Sequence, residues 1–587
     1  MTSSPPTQPT HLAGQTSAYL VQHAHDPVDW YPWGSEAFDR AHSLGRPVFL
    51  SIGYASCHWC HVMQRESFHD AETADFLNSH FVSIKVDREE RPDIDHLYLQ
   101  YVTMATGSGG WPMTVFLDAL RRPFYGGTFF PKRAPYNMQS LAAVLTGVDR
   151  TFREDPARTA RVVAESITVL ADLQSPKPAP VLDRATLSAV IEGIVALDDP
   201  VFGGLGGAPK YPAAPLFDLL LTYHRATGDA ASLDVAERWM YAMLRGGVFD
   251  QVGGGLFRYS TDEQWMTPHY EKMLVDSAQL LSSIASLYRL APSEELARAA
   301  RMTASFMARD LARPQGGYWS SIDSESAGIE GGAYTWELDA LRETLDEAQL
   351  ELARAHLGVP QSAERHPRIH LTRREGRARD ADEVDRVLEV LLAARAGRPL
   401  RVIRNAPADS NALAARGLFE AGAALGDDAL VAQGAATLEW LVDEVVRGDR
   451  VLHMADDPTV AELELLADHA ALAAALIAAH DAGIDVGGGW LRLADGILGR
   501  ALRVFEDRGA LYMTRDDTGL PIRPAAYDDT AAPSGWALAL QVHRRLRPDD
   551  TARWMELFGP LGAFALHAPH SAGSALSRAV ESLWGDG

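Results

Sequence analysis

The sequence predicts two domains of different class. A mixed α/β domain built on a parallel β-α-β crossover comes first, and an all-α domain whose helical hairpins close into a ring follows. Three observations carry this expectation: apolar, β-branched runs flanking a helical stretch in the first 150 residues; a Pro-rich break near residue 175; and a recurring turn-and-acid motif in the helical remainder. At 587 residues the chain is also too long for one hydrophobic core.

The run PVFLSIGY (Pro47–Tyr54) reads as a buried strand, FVSIKVD (Phe81–Asp87) as a second and WPMTVFLD (Trp111–Asp118) as a third. Cys60 to Phe76 has helical spacing and lies between the first two, so those two should form a parallel pair. SPKPAPV (Ser175–Val181) reads as a linker. Beyond it, Leu187, Val190, Ile191, Ile194 and Val195 make one apolar helical face, and Leu216, Leu220 and Tyr223 another. The start, MTSSPPTQPTHLAG, has neither the basic nor the apolar region of a secretory signal and reads as a disordered tail. The expected division is a tail over 1–15, the α/β domain over 16–174, a linker over 175–182 and the helical ring over 183–587.

Within the helical part, GGGLFRYSTDE (Gly253–Glu263) resembles QGGYWSSIDSE (Gln315–Glu325), with weaker copies at RGDRVLHMADD (Arg447–Asp457) and DRGALYMTRDD (Asp507–Asp517). Each copy follows a helical segment, with a Gly suited to ending it, then large apolar residues, then an acidic cluster. Helix pairs that keep returning to such loops suggest a closed ring with the loops at one rim.

A net charge of −24 argues against nucleic acid or an anionic membrane as partner, because phosphate binding needs clustered Lys and Arg. No stretch has the length and apolarity of a membrane span. Only two cysteines occur, which excludes a structural disulfide framework and points to the reducing cytoplasm.

Those cysteines, Cys57 and Cys60, sit in SCHWCH (Ser56–His61), after a strand and at the start of a helix that Ser56 is placed to cap. A thiol at a helix N-terminus is favoured as thiolate, and His58 adds adjacent positive charge. A catalytic dithiol is the expected reading, with Cys57 as nucleophile and Cys60 as resolving thiol. Haem attachment, a zinc site completed by His61 with His69 or His80, and two merely buried thiols are the alternatives. The expectation is no metal and no cofactor. Trp111-Pro112 opens the third strand and, with His58 and Trp59, is a candidate substrate contact; the isomer of Pro112 is open at this point.

DPVDWYPWGSEAF (Asp26–Phe38), the stretch from Ser51 to Phe68, FVSIKVDREERPDID (Phe81–Asp95) and GGWPMTVFLD resemble the spermatogenesis-associated, thioredoxin-like family. GGAPKYP (Gly206–Pro212), Phe249–Leu280 and GGAYTW (Gly331–Trp336) resemble it as well, so the likeness spans nearly the whole chain. It implies a thioredoxin-like α/β domain followed by an all-α (α/α) toroid of the six-hairpin glycosidase/epimerase type, a class that binds sugars at the mouth of the ring with carboxylates and aromatics.

On that basis the ligand-binding candidates are Arg258, Tyr259, Asp262 and Trp265 on a loop, then His269, Glu271, Lys272 and Asp276 on a helix expected to start at Thr267-Pro268. Asp323 and Glu325 occupy the second repeat's loop. Where the family shows D-K…S-W-N-G and P-S-G-N, this chain reads PADSNALAARGLF (Pro407–Phe419) and Pro533-Ser534-Gly535-Trp536. That departure counts against sugar chemistry that uses those late helices. The expected function is a thiol–disulfide oxidoreductase acting on a protein disulfide, with a toroid that binds a partner or a small carbohydrate-like ligand. The competing readings are a sugar epimerase or glycoside hydrolase with a vestigial redox domain, and a non-catalytic redox-sensing scaffold.

Overall fold

The computed structural model describes residues 9–134, 138–178, 182–362, 368–373, 381–485, 487–516 and 518–585. The expected linker thus lies partly outside the described residues, and so do the first eight residues of the expected tail. Within that tail Leu12 is fully buried, and the Thr10 N–H donates to Ala24 O at 2.9 Å. The chain divides into two compact units. The first runs to Ser175 and also takes in His453–Leu465 and Tyr512–Ala525; the second comprises the rest.

The sheet of the first unit has strands β1 (Trp30–Pro32), β2 (Val48–Gly53), β3 (Val82–Asp87), β4 (Met113–Leu117) and β5 (Pro123–Gly127) in the order β1-β3-β2-β4-β5. β1, β3 and β2 are parallel, and β4 and β5 antiparallel. The helices are α1 (Ala18–Gln22), α2 (Ser35–Leu44), α3 (His58–Met63), α4 (Ala71–His80), α5 (Pro92–Thr106), α6 (Leu141–Glu154) and α7 (Pro156–Gln174). This is a thioredoxin-like domain. The helical stretch expected from Cys60 to Phe76 is interrupted: α3 passes into one π turn, Gln64–Phe68, before α4 begins.

Helices cover both faces of the sheet, which is why its strands read as continuous apolar runs. Strand alternation divides them. Val48, Leu50 and Ile52, with Val82, Ile84 and Val86, face a core shared with α2, α5 and α7. The opposite face carries Phe49, Ser51 and Gly53 on β2 and Ser83, Lys85 and Asp87 on β3. There Phe49 packs edge-on against Phe68 and Phe116. The two late segments complete this unit. Leu465 bridges Thr514, His453 bonds the Glu89 carbonyl at 2.7 Å, and Leu520 and Ile522 pack on the core.

The second unit is helical: α8 (Arg184–Val195), α9 (Ala214–Thr227), α10 (Ala230–Arg245), α11 (Leu274–Tyr288), α12 (Glu294–Phe306), α13 (Leu338–Thr344), α14 (Glu347–His356), α15 (Ala381–Arg395), α16 (Ala408–Leu425), α17 (Asp428–Trp440), α18 (Leu466–Asp481), α19 (Gly489–Phe505), α20 (Gly535–Leu546), α21 (Thr551–His567) and α22 (Gly573–Trp584). Among the described residues α9, α11, α16, α18, α20 and α22 pack in succession, and α22 returns onto α9. The result is a closed inner ring. α8, α10, α12, α17, α19 and α21 lie outside it, and α13–α15 form an insertion with its own apolar core.

The sequence sets this placement. α16 and α18 are Ala-rich and buried on nearly every side, as inner helices must be, whereas α19 is amphipathic. Ring closure depends on close backbone approach. A Cβ on Gly573 would sit 2.5 Å from Pro215 O, and one on Gly417 would sit 2.6 Å from Ala278 O. The four repeat copies map to tight antiparallel turns after α10, α12, α17 and α19; a fifth such turn, Asp198 with Leu205, follows α8. Among the described residues no helix is long and apolar enough to cross a membrane.

Candidate functional site

β2 ends at Gly53, and the chain turns directly into α3, placing both cysteines at the helix start. Cys57 is itself the N-cap: its Sγ accepts the Cys60 N–H at 3.2 Å. This corrects the expectation that Ser56 caps the helix. Ser56 is fully buried, one residue too early for its hydroxyl to meet the first-turn amides. Cys57 and Cys60 form a disulfide with Cα atoms 5.3 Å apart. Both are buried, while Trp59 between them is 48% exposed with its ring 5.2 Å from Phe129. His58 lies edge-on to Trp59. Among the described residues no group of three or more His, Cys, Asp or Glu is placed to hold a metal ion.

The Trp111–Pro112 peptide is cis. Met113, the next residue, pairs with Ile52, which sets Pro112 at the dithiol end of the sheet. Trp111 is held on both sides. Its indole N–H donates to Asp95 at 2.7 Å, and the Arg88 guanidinium lies 3.9 Å from the ring centroid. Burial raises the Asp95 carboxyl, and Arg88 and Trp111 pull against that rise.

A polar cluster lies beneath the dithiol. Asp26 accepts from His23 at 2.6 Å, Gln64 at 2.9 Å, and His69 and Trp30 at 3.0 Å. Burial works against its charge, yet His23, His69 and Gln64 hold it well below the usual carboxylate range. Lys85 is fully buried; its Nζ donates to Ser51 Oγ at 3.1 Å and lies 4.0 Å from the Trp30 ring and 4.2 Å from Phe68.

In the second unit the expected helix start at Thr267-Pro268 gives way to β structure. Pro268-His269 pairs with Tyr259-Ser260, Lys272-Met273 pairs with Ser321-Ile322, and α11 begins only at Leu274. Both short strands are buried, and their pairing outweighs the helix-start signal of the proline.

The candidates here sort by what they touch. Asp262 accepts from the N–H groups of Gln264, Met266 and Thr267, closing its own loop. Trp265 is buried beneath Gly204 and donates to Gly203 O. Lys272 and Arg395 both bind the buried Asp250. These three candidates hold the fold together.

Others converge. Tyr259 stacks on His269 and packs at a tilt against Tyr211, and His269 reaches Glu330 at 3.0 Å and Glu271 at 3.9 Å. Asp323 faces Arg401 at 3.2 Å, and burial pushes its carboxyl up to about 7, with Glu325 and Glu271 adding to the rise. The Glu325 side chain stands on a short hairpin, partly exposed.

Arg258 and Asp276, paired at 3.1 Å, line a cavity of about 360 Å³ at the N-terminal ends of α9, α11, α20 and α22. Tyr211, Gln279, Asp529 and His570 add to its polar lining, against an apolar wall that includes Met240, Met243 and Leu280. Asp529 accepts from the Ser534 and Ser574 amides, and burial raises its carboxyl to about 6. These four polar residues went unseen from sequence. Tyr211 lies in a quoted motif, but Asp529 and His570 join the cavity only through ring closure.

The family model Thioredox_DsbH, described as a protein of unknown function, DUF255, matches residues 9–172. Among solved structures, cellobiose 2-epimerase from Bacillus thermoamylovorans B4167 aligns at a TM-score of 0.44 and 12% identity, over 65% of this chain and 85% of that one. D-mannose isomerase aligns at 0.44 and 10%, over 68% and 98%. Spermatogenesis-associated protein 20 of Homo sapiens is 32% identical, over 93% of this chain and 76% of that protein. The Rattus norvegicus protein of the same name is 33% identical over 613 aligned residues, covering 93% of this chain and 77% of its own length, and the chain accordingly belongs to the spermatogenesis-associated protein 20 family.

Proposed function

We propose that the protein is a thiol–disulfide oxidoreductase whose ring cavity binds a small polar, carbohydrate-like ligand. One observation carries the redox reading: Cys57 Sγ caps α3 by accepting the Cys60 N–H while bonded to Cys60 Sγ. That amide, with the helix dipole, stabilises a thiolate on Cys57 once the bond is reduced. The reduced Cys57 attacks a substrate disulfide. One substrate sulfur leaves as thiolate, and a mixed disulfide forms. Cys60 then attacks Cys57 Sγ, the second substrate sulfur leaves, and the protein disulfide is restored. The substrate gains two electrons and the dithiol loses them. Trp59 and Trp111 offer aromatic surface for the substrate chain. The test is reduction of insulin by the full chain with dithiothreitol as electron source. Turnover that survives Cys57→Ser defeats the reading.

The ligand reading rests on the cavity: carboxylates, a guanidinium, an amide and a tyrosine converge over an apolar floor, the composition of a small-molecule site. Calorimetric titration with mannose and cellobiose as probes tests it. Asp276→Asn is expected to weaken binding about tenfold, the loss of one charge-assisted hydrogen bond. Absence of heat with either sugar counts against carbohydrate as the ligand class.

A further inference from the structure

We propose that the helical ring binds a phosphate-bearing small molecule in a second, arginine-lined cavity at the C-terminal ends of its inner helices. The inference rests neither on the dithiol nor on the Arg258–Asp276 cavity, which lies at the N-terminal ends of the same helices.

The second cavity holds about 610 Å³, within the range of small-molecule sites. Six guanidinium groups line it: Arg225 on α9, Arg289 just after α11, Arg416 on α16, Arg544 and Arg545 on α20, and Arg578 on α22. Three carboxylates, Glu420, Asp481 and Glu581, stand among them. A surplus of positive charge is out of keeping with a chain of net charge −24. The overall charge speaks against an extended phosphate surface such as nucleic acid, but it conceals this local cluster.

Three of the arginines are paired. Arg416 donates to Glu420 at 2.7 Å, Arg578 lies 2.8 Å from Glu581, and Arg545 donates to Asp481 at 2.8 Å. Burial raises the Glu420 carboxyl, yet Arg416, Ser282 and Arg289 hold it below its ordinary value. Arg225, Arg289 and Arg544 donate to neutral oxygens. Arg225 meets Thr222 Oγ1 and Arg289 the Glu420 carbonyl, both at 3.1 Å, and Arg544 meets the Glu581 carbonyl at 3.0 Å.

Cations at helix C-termini commonly answer the macrodipole or the carbonyls left unbonded there. Capping does not account for these three. Glu420 lies more than a turn inside α16, which ends at Leu425, so its carbonyl is not among the last four. The Glu581 carbonyl already accepts the Gly585 N–H at 3.0 Å. Thr222 offers a side-chain hydroxyl.

Charge and shape select the ligand. A guanidinium presents five N–H donors in a planar fork that matches phosphate oxygens two at a time. Arg225 and Arg289 are exposed and Arg578 is buried, so donors run from the mouth of the cavity inward. A phosphate monoester carries about −1.5 to −2 charges at neutral pH, and it meets the surplus more fully than a monocarboxylate would. Phe419, Ile477 and Val542 supply an apolar wall for the body of an organic phosphate.

Calorimetric titration of the full-length protein with phenyl phosphate tests this, at about 0.15 M salt to screen diffuse attraction. Saturable binding is expected, with benzoate, the same ring on a carboxylate, at least about tenfold weaker. Arg225→Met and Arg289→Met leave every cavity carboxylate its bonded arginine. Each should weaken binding about tenfold, the loss of one charge-assisted hydrogen bond. Arg342→Met removes an exposed charge on α13, outside the ring, and should leave the affinity unchanged. In the parent protein, where no variant has to fold, phenyl phosphate should protect Arg225 and Arg289 from phenylglyoxal, read by peptide mass spectrometry. Absence of saturable binding, equal weakening in Arg342→Met, or reaction of Arg225 and Arg289 unchanged by the probe overturns the site. Benzoate bound as tightly as phenyl phosphate overturns phosphate as the recognised group.

Discussion

Lys85 in the first unit and Lys272 in the second are both fully buried, and each sits among three aromatic rings. Their partners differ. Lys272 donates to the Asp250 carboxylate and the Gly254 carbonyl, both at 2.7 Å, with Arg395 on the same carboxylate. Lys85 has a single serine hydroxyl. A buried cation with a carboxylate is a fastening: removing either partner strands the other. A buried amine on a hydroxyl has no such partner to strand; burial lowers both amines, Lys272 to about 8 against the pull of Asp250 and Lys85 to about 7. The comparison separates a buried amine fastened by a carboxylate from one held by a neutral hydroxyl.

The largest effect expected is on chemistry. Cys57→Ser should lower insulin reduction at least ~10³-fold, as loss of a covalent nucleophile does. Next comes the fastening. Asp250→Ala leaves Lys272 and Arg395 buried without their carboxylate and should cost about 3–5 kcal/mol, read by chemical denaturation.

The two lysines should then diverge. Lys85→Met removes an amine that burial disfavours and should stabilise the first unit by about 1–4 kcal/mol at pH 7, whereas Lys272→Met should destabilise the second. The sign in pH follows from the lowered amine. Between about pH 7 and the ordinary lysine value the unfolded chain binds more protons, so the parental stability rises with pH across that window. Lys85→Met should flatten the rise. If both methionine variants move stability in the same direction, the distinction between the lysines fails.

Asp323 gives the smallest effect, with the opposite slope. Its carboxyl is raised to about 7, so its contribution is full below ~4 and is lost as pH rises through 7. Asp323→Asn should remove that decline, a gain of about 1 kcal/mol at pH 8 that thermal unfolding would register.

Much of the first unit was legible because its signals are local. PVFLSIGY, FVSIKVD and WPMTVFLD are continuous apolar runs that form buried strands, and two cysteines three positions apart at a strand–helix junction constrain each other. Lys85 was visible too, a charge in the middle of a buried strand, yet nothing local says that Ser51 faces it; register does. In the second unit the apolar faces of α8 and α9 were legible, whereas the inner position of α16 and α18 is seen from their burial on nearly every side. Asp529 and His570 were not legible, because they meet Asp276 and Tyr211 only when the last inner helix closes on the first. Asp262 and Trp265 looked like ligand-binding residues because loop closure and ligand recognition draw on the same residue types. The Thr267-Pro268 helix start misled because β pairing to Tyr259-Ser260 outweighed local propensity.

The first unit draws Leu520 and Ile522 onto its core from a segment far along the chain. On a ribosome the sheet and dithiol emerge early, and the strap that covers part of their core arrives only when most of the protein has been made. A chain cut before residue 453 would keep both cysteines and leave an apolar flank bare, so its first expected failing is poor solubility.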